Sequence, residues 1–425
     1  MNGEKLLYAI GEIDEKFINE LDIKQNRKNF TKPILMAASL IIIISGILFG
    51  RYNQGDVATD PNGKTTPPIV VDEKKVDEEF ADLPKIAISD IHADGMGYGG
   101  VMAYDLEDVD DGTFWKEDLE IKKLPVYKNK AYFKDKGFIP LDIKVSDMVE
   151  KLTKYAEIFE IEVSSEEASV VSYEDNELEA SNIKKEDSTD IASNVFIEKD
   201  GIRISVDRTG EVSVNFSDEK ALQTGQLLDF EKPDYEKANS RESLEILGNY
   251  ILENHPEYLN LENPYMNLYS IYYNIYGEED YNLDFYENST DLEKRFLNYE
   301  LGKKASFIVS SWGNIVSFHY RDIDLSEEVG VYPIISKEKA VELMEEGKYS
   351  TSVPYEFSNK ENIEKIELKY FVNGYQEYII PYYEIYVYLP EEELEGDLKS
   401  YGIYYVPAVE EEYIENMPTY DGRFN

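Results

Sequence analysis

Residues 33 to 50, PILMAASLIIIISGILFG, form an uncharged run of 18 residues, and no other feature restricts the architecture of the chain as strongly. A hydrocarbon core about 30 Å thick takes close to twenty apolar residues in a helix, so this run reaches the lower limit for crossing it. Phe30 and Tyr52 can extend it at the two interfaces. Ile41 to Ile44 are flanked by apolar residues on every helical face, whereas a helix in a soluble core keeps one polar stripe. A cleaved signal peptide would carry a shorter positive region and a clear small-x-small site after Phe49, which the sequence does not offer. Lys24, Arg27, Lys28 and Lys32 precede the run and only Arg51 follows closely, which sets the N-terminus in the cytoplasm. The expected layout is a cytoplasmic amphipathic tail over 1–32, a transmembrane helix over 33–52, and everything beyond outside the cell.

What lies beyond the span is acidic. The chain holds 87 Asp and Glu against 43 Lys and Arg, a net charge of −44. The tail is neutral: six basic residues (Lys5, Lys16, Lys24, Arg27, Lys28, Lys32) balance six acidic ones (Glu4, Glu12, Asp14, Glu15, Glu20, Asp22). Subtracting these leaves 37 basic and 81 acidic residues for the rest. Such a surface repels phosphate backbones, so nucleic acid is not an expected partner. A hydrophobic content of 42%, with 35 Tyr and 18 Phe, is still enough to build cores and half-buried strand faces. The absence of cysteine removes disulfides, thiolate nucleophiles, lipoprotein acylation and cysteine-ligated zinc together.

Residues 53 to 82 carry Pro61, Asn62, Gly63, Pro67 and Pro68 and then the charged run DEKKVDEEF, the composition of a stalk. Three helix signals follow. Ser146, Ser240 and Ser336 each precede an amphipathic stretch as a predicted N-cap, and Gly347 marks a C-terminal stop for the third. The caps stand 94 and 96 residues apart, a regularity that points to three helix-plus-sheet modules over 83–230, 231–330 and 331–425. Alternating runs around Asp200-Gly201, Thr209-Gly210, Trp312-Gly313 and Asn373-Gly374 predict antiparallel strands joined by tight turns. Pro381 predicts an edge strand or a bulge. The expected fold class is α+β.

Sites for chemistry are weak. Gly95, Gly97 and Gly100 match a G-x-G-x-x-G spacing, but the following VMAYDLEDVDDG is too short and acidic for the helix that would hold a pyrophosphate. Asp105 to Asp111 invites a calcium reading, yet Val109 falls at a ligand position and Asp118 stands where a loop of that kind needs Glu. His92, His255 and His319 lie far apart and outside any zinc pattern, and no serine sits in G-x-S-x-G. No cofactor, metal or catalytic residue is therefore expected, and the chain does not read as an enzyme. The tyrosines from Tyr265 to Tyr286 and from Tyr370 to Tyr388 could stack on sugars or peptides, but half-buried strand faces explain them as well.

Inside the cell, Leu6, Ile10, Ile13, Phe17 and Leu21 draw one apolar stripe along a short helix. A lone helix of this size is marginal in water, so the stripe needs a partner protein or the membrane surface.

Two stretches carry resemblances. The pattern MNGEKLLYAIGEIDEKFINEL, followed by a basic patch and one span, resembles uncharacterised clostridial single-pass membrane proteins with an anti-sigma-factor-like N-terminus, without the histidine-and-cysteine zinc motif of better-known anti-sigma proteins. It covers about the first fifty residues and implies a cytoplasmic protein partner such as a sigma factor. YPIISKEKAVELMEEGKYS, with IELKYFVNGYQEYIIPYYEIYVYL and YYVPAV, looks like the helix-then-strands unit of PepSY and YycH/YycI-type extracytoplasmic modules. That likeness covers about the last ninety residues and implies a regulatory role through an extracytoplasmic protein or peptide ligand. The resulting expectation is a regulatory or binding protein in a Gram-positive cell membrane. The alternatives are a structural or adhesive surface protein and, third, a wall hydrolase or protease.

Overall fold

The computed structural model describes residues 82–88, 100–106, 115, 119, 121–133, 139–164, 167–270, 273, 277–279, 281–392 and 397–422. The expected tail, span and all of the stalk but Asp82 lie outside the described residues, as do Leu6, Ile10, Ile13, Phe17 and Leu21. Among the described residues no helix is long and apolar enough to cross a membrane.

The chain runs through β1 (Gly100–Ala103), β2 (Lys123–Lys128), α1 (Val145–Ile158), β3 (Ser169–Val171), α2 (Asp175–Ala180), β4 (Asn194–Lys199), β5 (Ile202–Asp207) and β6 (Val212–Phe216). It continues through α3 (Tyr235–Ala238), α4 (Arg241–Asn254), β7 (Pro264–Tyr269), β8 (Asn282–Glu287), α5 (Leu292–Leu301), β9 (Lys304–Val309) and β10 (Ile315–Arg321). The last part holds β11 (Glu328–Pro333), α6 (Lys337–Glu345), β12 (Ser350–Thr351), β13 (Ile363–Phe371), β14 (Tyr378–Tyr388) and β15 (Lys399–Pro407). The fold is α+β with two antiparallel sheets.

The first sheet has eight strands in the order β3-β4-β5-β6-β10-β9-β8-β7. Period-two alternation sends Val195, Ile204, Val206, Val214, Phe318, Phe307 and Phe285 to one face. That face is covered by Met148, Leu152 and Tyr155 of α1 and by Leu244, Leu247 and Ile251 of α4. The expected boundary at 230/231 falls between β6 and β7, strands of this one sheet, which the β6–β10 pairing joins.

The second sheet gathers distant parts of the chain. β13 and β15 flank β14, β1 and β12 pair with β15, and β2 pairs with β11 and with the start of β14. Thus β1 and β2, from the expected first module, belong to the sheet of the third. Ala340, Leu343 and Met344 of α6 pack on Leu368, Ile385, Tyr404 and Val406.

Pro381 lies inside β14, a strand paired along both edges, and not on an edge strand or in a bulge as its residue type predicts. Its carbonyl accepts from Ala408 N at 2.9 Å, on the β15 side. In an antiparallel strand the N–H and C=O of one residue point the same way, so the missing donor faces that edge too. There β14 leaves β2 (Tyr378 opposite Lys128, Ile379 opposite Tyr127) and takes up β15 (Tyr382 opposite Pro407). Proline is tolerated because the ladder changes partners at that point. Beyond β15 the chain turns back to β11, with Ile335 N donating to Ala408 O at 2.8 Å and Glu410 N to Pro333 O at 3.2 Å. Strands β11, β2, β14 and β15 therefore form a closed hydrogen-bonded circuit.

Segments far apart in sequence meet on this circuit. Ile86 pairs parallel to Ile414, and Ile88 and the Asn416 side chain exchange hydrogen bonds at 2.7 and 2.6 Å. Locally, Ser240 and Ser336 cap α4 and α6 as expected, accepting from Ser243 N and Lys339 N. Gly347 follows α6, whose end is closed by Lys348 N to Leu343 O at 2.9 Å and Gly347 N to Met344 O at 3.0 Å. Ser146 does not cap α1. That helix starts two residues earlier than such a cap would set it, at Val145 after Lys144, where Asp190 O takes the Val145 N–H and Asp147 accepts from Lys144 N, and Ser146 falls in its first turn. The Asn373-Gly374 turn does join β13 to β14, but through a longer loop in which Asn373 Oδ1 accepts from Tyr375 N and Gln376 N. Glycine is needed there because a side chain at 374 would run into Phe133.

The tyrosines are core material. Burial, with help from nearby carboxylates, lifts the phenols of Tyr173 and Tyr383 to about 12, against about 10 in the unfolded chain. A raised folded-state pKa gives stability that is complete below pH 10 and drains away as the pH climbs towards 12. Alkaline titration followed by phenolate absorbance and circular dichroism should show a group of phenols that ionise only with unfolding above about pH 10. Complete ionisation near pH 10 with the fold intact would contradict this packing.

Candidate functional site

The face of the eight-stranded sheet opposite the core carries a polar row. Asn267, Asp284, Ser306, His319, Ser213 and Ser205 stand in register across β7, β8, β9, β10, β6 and β5. Its β7–β9 end is closed off. Asp284 is buried and accepts from Tyr269 Oη at 3.1 Å, with Lys304 Nζ at 3.7 Å. Burial holds the Lys304 ammonium below its ordinary range and lifts the Asp284 carboxyl, each opposed by the other's charge. A lysine shifted this way can serve as a nucleophile, but Lys304 is 3% exposed and has no route to a substrate. Its role is structural.

At the open end, Ser213 Oγ lies 2.9 Å from His319 Nδ1, and Glu211 Oε1 lies 3.4 Å from the same nitrogen. A serine relay needs the nucleophile on one ring nitrogen and the carboxylate on the other. Here both partners compete for one, so the trio does not pass a proton from Ser213 through His319 to Glu211. His255 stacks on Tyr258 at 4.8 Å. Among the described residues no group of three or more His, Asp or Glu could hold a metal ion. Gly95, Gly97 and the acidic run from 107 lie outside the described residues, while Gly100 opens β1. A broad hollow of about 810 Å³ near the end of α1 is lined by Glu157, Glu160, Glu162 and Glu167, which repel anions.

The β9–β10 turn is braced by hydrogen bonds within itself and from a neighbouring segment. Gly313 N donates to Ser310 O and Ser310 N to Asn314 O, both at 2.8 Å. The turn is also seated against residues 222–234. Buried Thr224 donates its hydroxyl to Gly313 O at 2.5 Å, Gly225 N donates to Asn314 Oδ1 at 2.9 Å, and Asp234 N donates to Ser311 O at 2.9 Å. Two glycines permit this close approach. Gly313 has φ +77°, and a side chain on it would strike Leu228 and Phe230; one on Gly225 would strike the Trp312 carbonyl. The backbone is thus fixed on both sides while the Trp312 side chain stays 47% exposed. Beside it lies a hollow of about 460 Å³, lined by Gln223, Gly225, Gln226, Asp229, Phe230, Trp312 and Asn314. Leu227 and Tyr235 are exposed on the flanking segments.

Sequence reasoning used Trp312 only as a turn marker and looked for aromatic contacts among the tyrosines. Tyr269, Tyr286, Tyr382 and Tyr383 are instead buried. The signal in the sequence was an unpatterned Trp directly before a turn glycine, between two apolar strands.

Lys304→Met should leave Asp284 buried without its counter-charge and cost about 3–5 kcal/mol, read by denaturant unfolding. The double change Lys304→Met with Asp284→Leu should recover most of that loss. Equal stability of the single variant and wild type would show that the pair holds nothing. No family model matches the chain and no curated protein matches it, so what it does has to be argued from its own residues.

Proposed function

We propose that this chain is a single-pass membrane protein that binds a ligand outside the cell and regulates through its cytoplasmic tail. The observation that carries the reading is Trp312: an exposed aromatic on a hydrogen-bond-braced turn beside a hollow of about 460 Å³, the size of a small-ligand site. The uncharged run over 33–50 and the basic residues before it supply the anchor and its orientation. The hydrogen bonds between residues 86–88 and 413–416 support a link between the two sides of the protein. They tie the closed circuit of the second sheet to the segment that follows the expected stalk, so a shift of that circuit is felt where the chain returns towards the membrane. Leu6, Ile10, Ile13, Phe17 and Leu21 form the surface for a cytoplasmic partner, a sigma factor being the partner the N-terminal pattern implies.

Orientation is tested on intact protoplasts, where external protease should remove residues beyond the stalk and spare the tail. A protected C-terminal domain overturns the topology. Regulation is tested by recovery of a sigma factor with the full chain from membranes. Phe17→Asp puts an unpaired charge into the docking face and should abolish recovery, whereas Glu12→Lys should change it only slightly. If wild type and Phe17→Asp recover the same proteins, or neither recovers a sigma factor, the tail only anchors and the adhesive alternative replaces this reading.

A further inference from the structure

We infer that the hollow beside Trp312 binds a neutral oligosaccharide; this assignment rests on the reading of the chain as an extracytoplasmic binding protein. The lining decides the ligand class. Trp312 provides flat apolar surface beside Phe230, whose ring face carries Lys237 Nζ at 4.7 Å, and Gln223 and Gln226 provide two amides next to Asn314, whose Oδ1 already accepts from Gly225 N; Asp229 is the one charged residue of the lining. A pyranose ring presents a face of C–H groups that packs on an indole, and a rim of hydroxyls that each donate and accept. Side-chain amides also carry both a donor and an acceptor, so they match hydroxyls without regard to direction. Neither Gln223 nor Gln226 has a side-chain hydrogen bond among the described residues.

Charge excludes the commoner surface polymers. Asp229 in the lining is offset by Lys237 beside Phe230, so the local charge is near neutral, and the net charge of −44 opposes phosphate, sulfate and carboxylate groups at longer range, which favours an uncharged chain as the occupant. Geometry argues against an extended peptide, which would seek a free strand edge. β9 and β10 each have a strand on both sides, and the hollow opens at their turn. The braces from Thr224, Gly225 and Asp234 matter here, since a platform already held in place loses little freedom on binding.

The chain offers its own reporter. It has two tryptophans: Trp115 is buried, 6.3 Å from the Tyr383 ring, and Trp312 is exposed. The full chain in lipid nanodiscs is titrated with maltotetraose, cellotetraose and chitotetraose, with heparin fragments as the charged control, by tryptophan fluorescence and calorimetry. At least one neutral oligosaccharide should shift the emission to the blue and bind, and heparin should not. Trp312→Ala should weaken that binding by about tenfold or more, and Trp312→Phe should restore part of it. Gln226→Ala should weaken it less, and all three variants should keep the wild-type unfolding transition. The assignment is overturned if no neutral oligosaccharide binds, or if one binds equally well to Trp312→Ala. Trp312-dependent binding of a peptide in its place also overturns it, but leaves the regulatory reading standing, because that reading fails on the topology and tail experiments.

Discussion

Pro381 has no backbone N–H to give, and the second sheet is arranged around that missing donor. On one edge β14 is paired along its length with β13. On the other it must change neighbours at the proline, from β2 to β15. Because β2 is already joined to β11, and residues 408–410 beyond β15 fold back onto 333–335, the change of partner closes the circuit instead of ending the sheet. The circuit in turn supplies the surface on which Ile86, Ile88, Val126, Tyr332, Tyr382, Tyr405 and Ile414 pack. A strand with an unbroken ladder on both edges would have no such fork, and the segment before β1 would lose its seat.

Closing contacts across this sequence distance is entropically expensive. Ile88 and Asn416, bonded to each other, are 328 positions apart. Loop-closure cost grows only slowly with length, so the barrier shows itself in folding rate more than in stability. Once β13, β14 and β15 have formed their local meander, Ile86 and β2 have a ready template. The charged group of buried Glu367 with the partly buried Lys365, Lys369 and Glu384 lies on that meander. Lys369 Nζ meets Glu367 at 2.9 Å and the Tyr386 hydroxyl at 2.8 Å, so two positive and two negative side chains cancel within one patch. Such a patch fixes register, since a slip of β13 by one residue would send its three charges to the opposite, apolar face and leave Glu384 without them.

Local structure was legible in the sequence where one or two residues decide it. Ser240 and Ser336 cap their helices, Gly347 ends one, and Asp200-Gly201 turns β4 into β5, because each needs only its own backbone neighbours. Ser146 misled because the competing partner, Asp190 O, is distant in sequence. Pro381 misled for the same kind of reason: whether a missing donor is harmless depends on which strand faces it. Hairpin neighbours were legible from their turns, but which distant strands share a sheet was not. Nothing in residues 100–103 marks them for Lys399–Gly402, since alternation gives a strand's faces and not its neighbours. The site escaped by the converse route. Thirty-five tyrosines suggest aromatic stacking, yet abundance in period-two strands signals burial, and the exposed Trp312 lies outside any pattern.

What makes Trp312 more than an exposed side chain is the stiffness behind it. β9 and β10 are interior strands, and β9 begins at Lys304, whose ammonium is fixed against Asp284 of β8. Phe307 and Phe318 stack across the two strands at 5.4 Å on the core side, while Ser306 and His319 stand opposite each other on the other face. The core face of the hairpin is therefore held by apolar packing, while Ile308 on the other face, beside the turn, is exposed. At the turn the braces from Thr224, Gly225 and Asp234 take over. A turn at the end of a free hairpin would lose conformational freedom on meeting a ligand, and that loss would subtract from affinity. This turn has already lost it on folding, so the surface energy of the indole is left for whatever settles beside it.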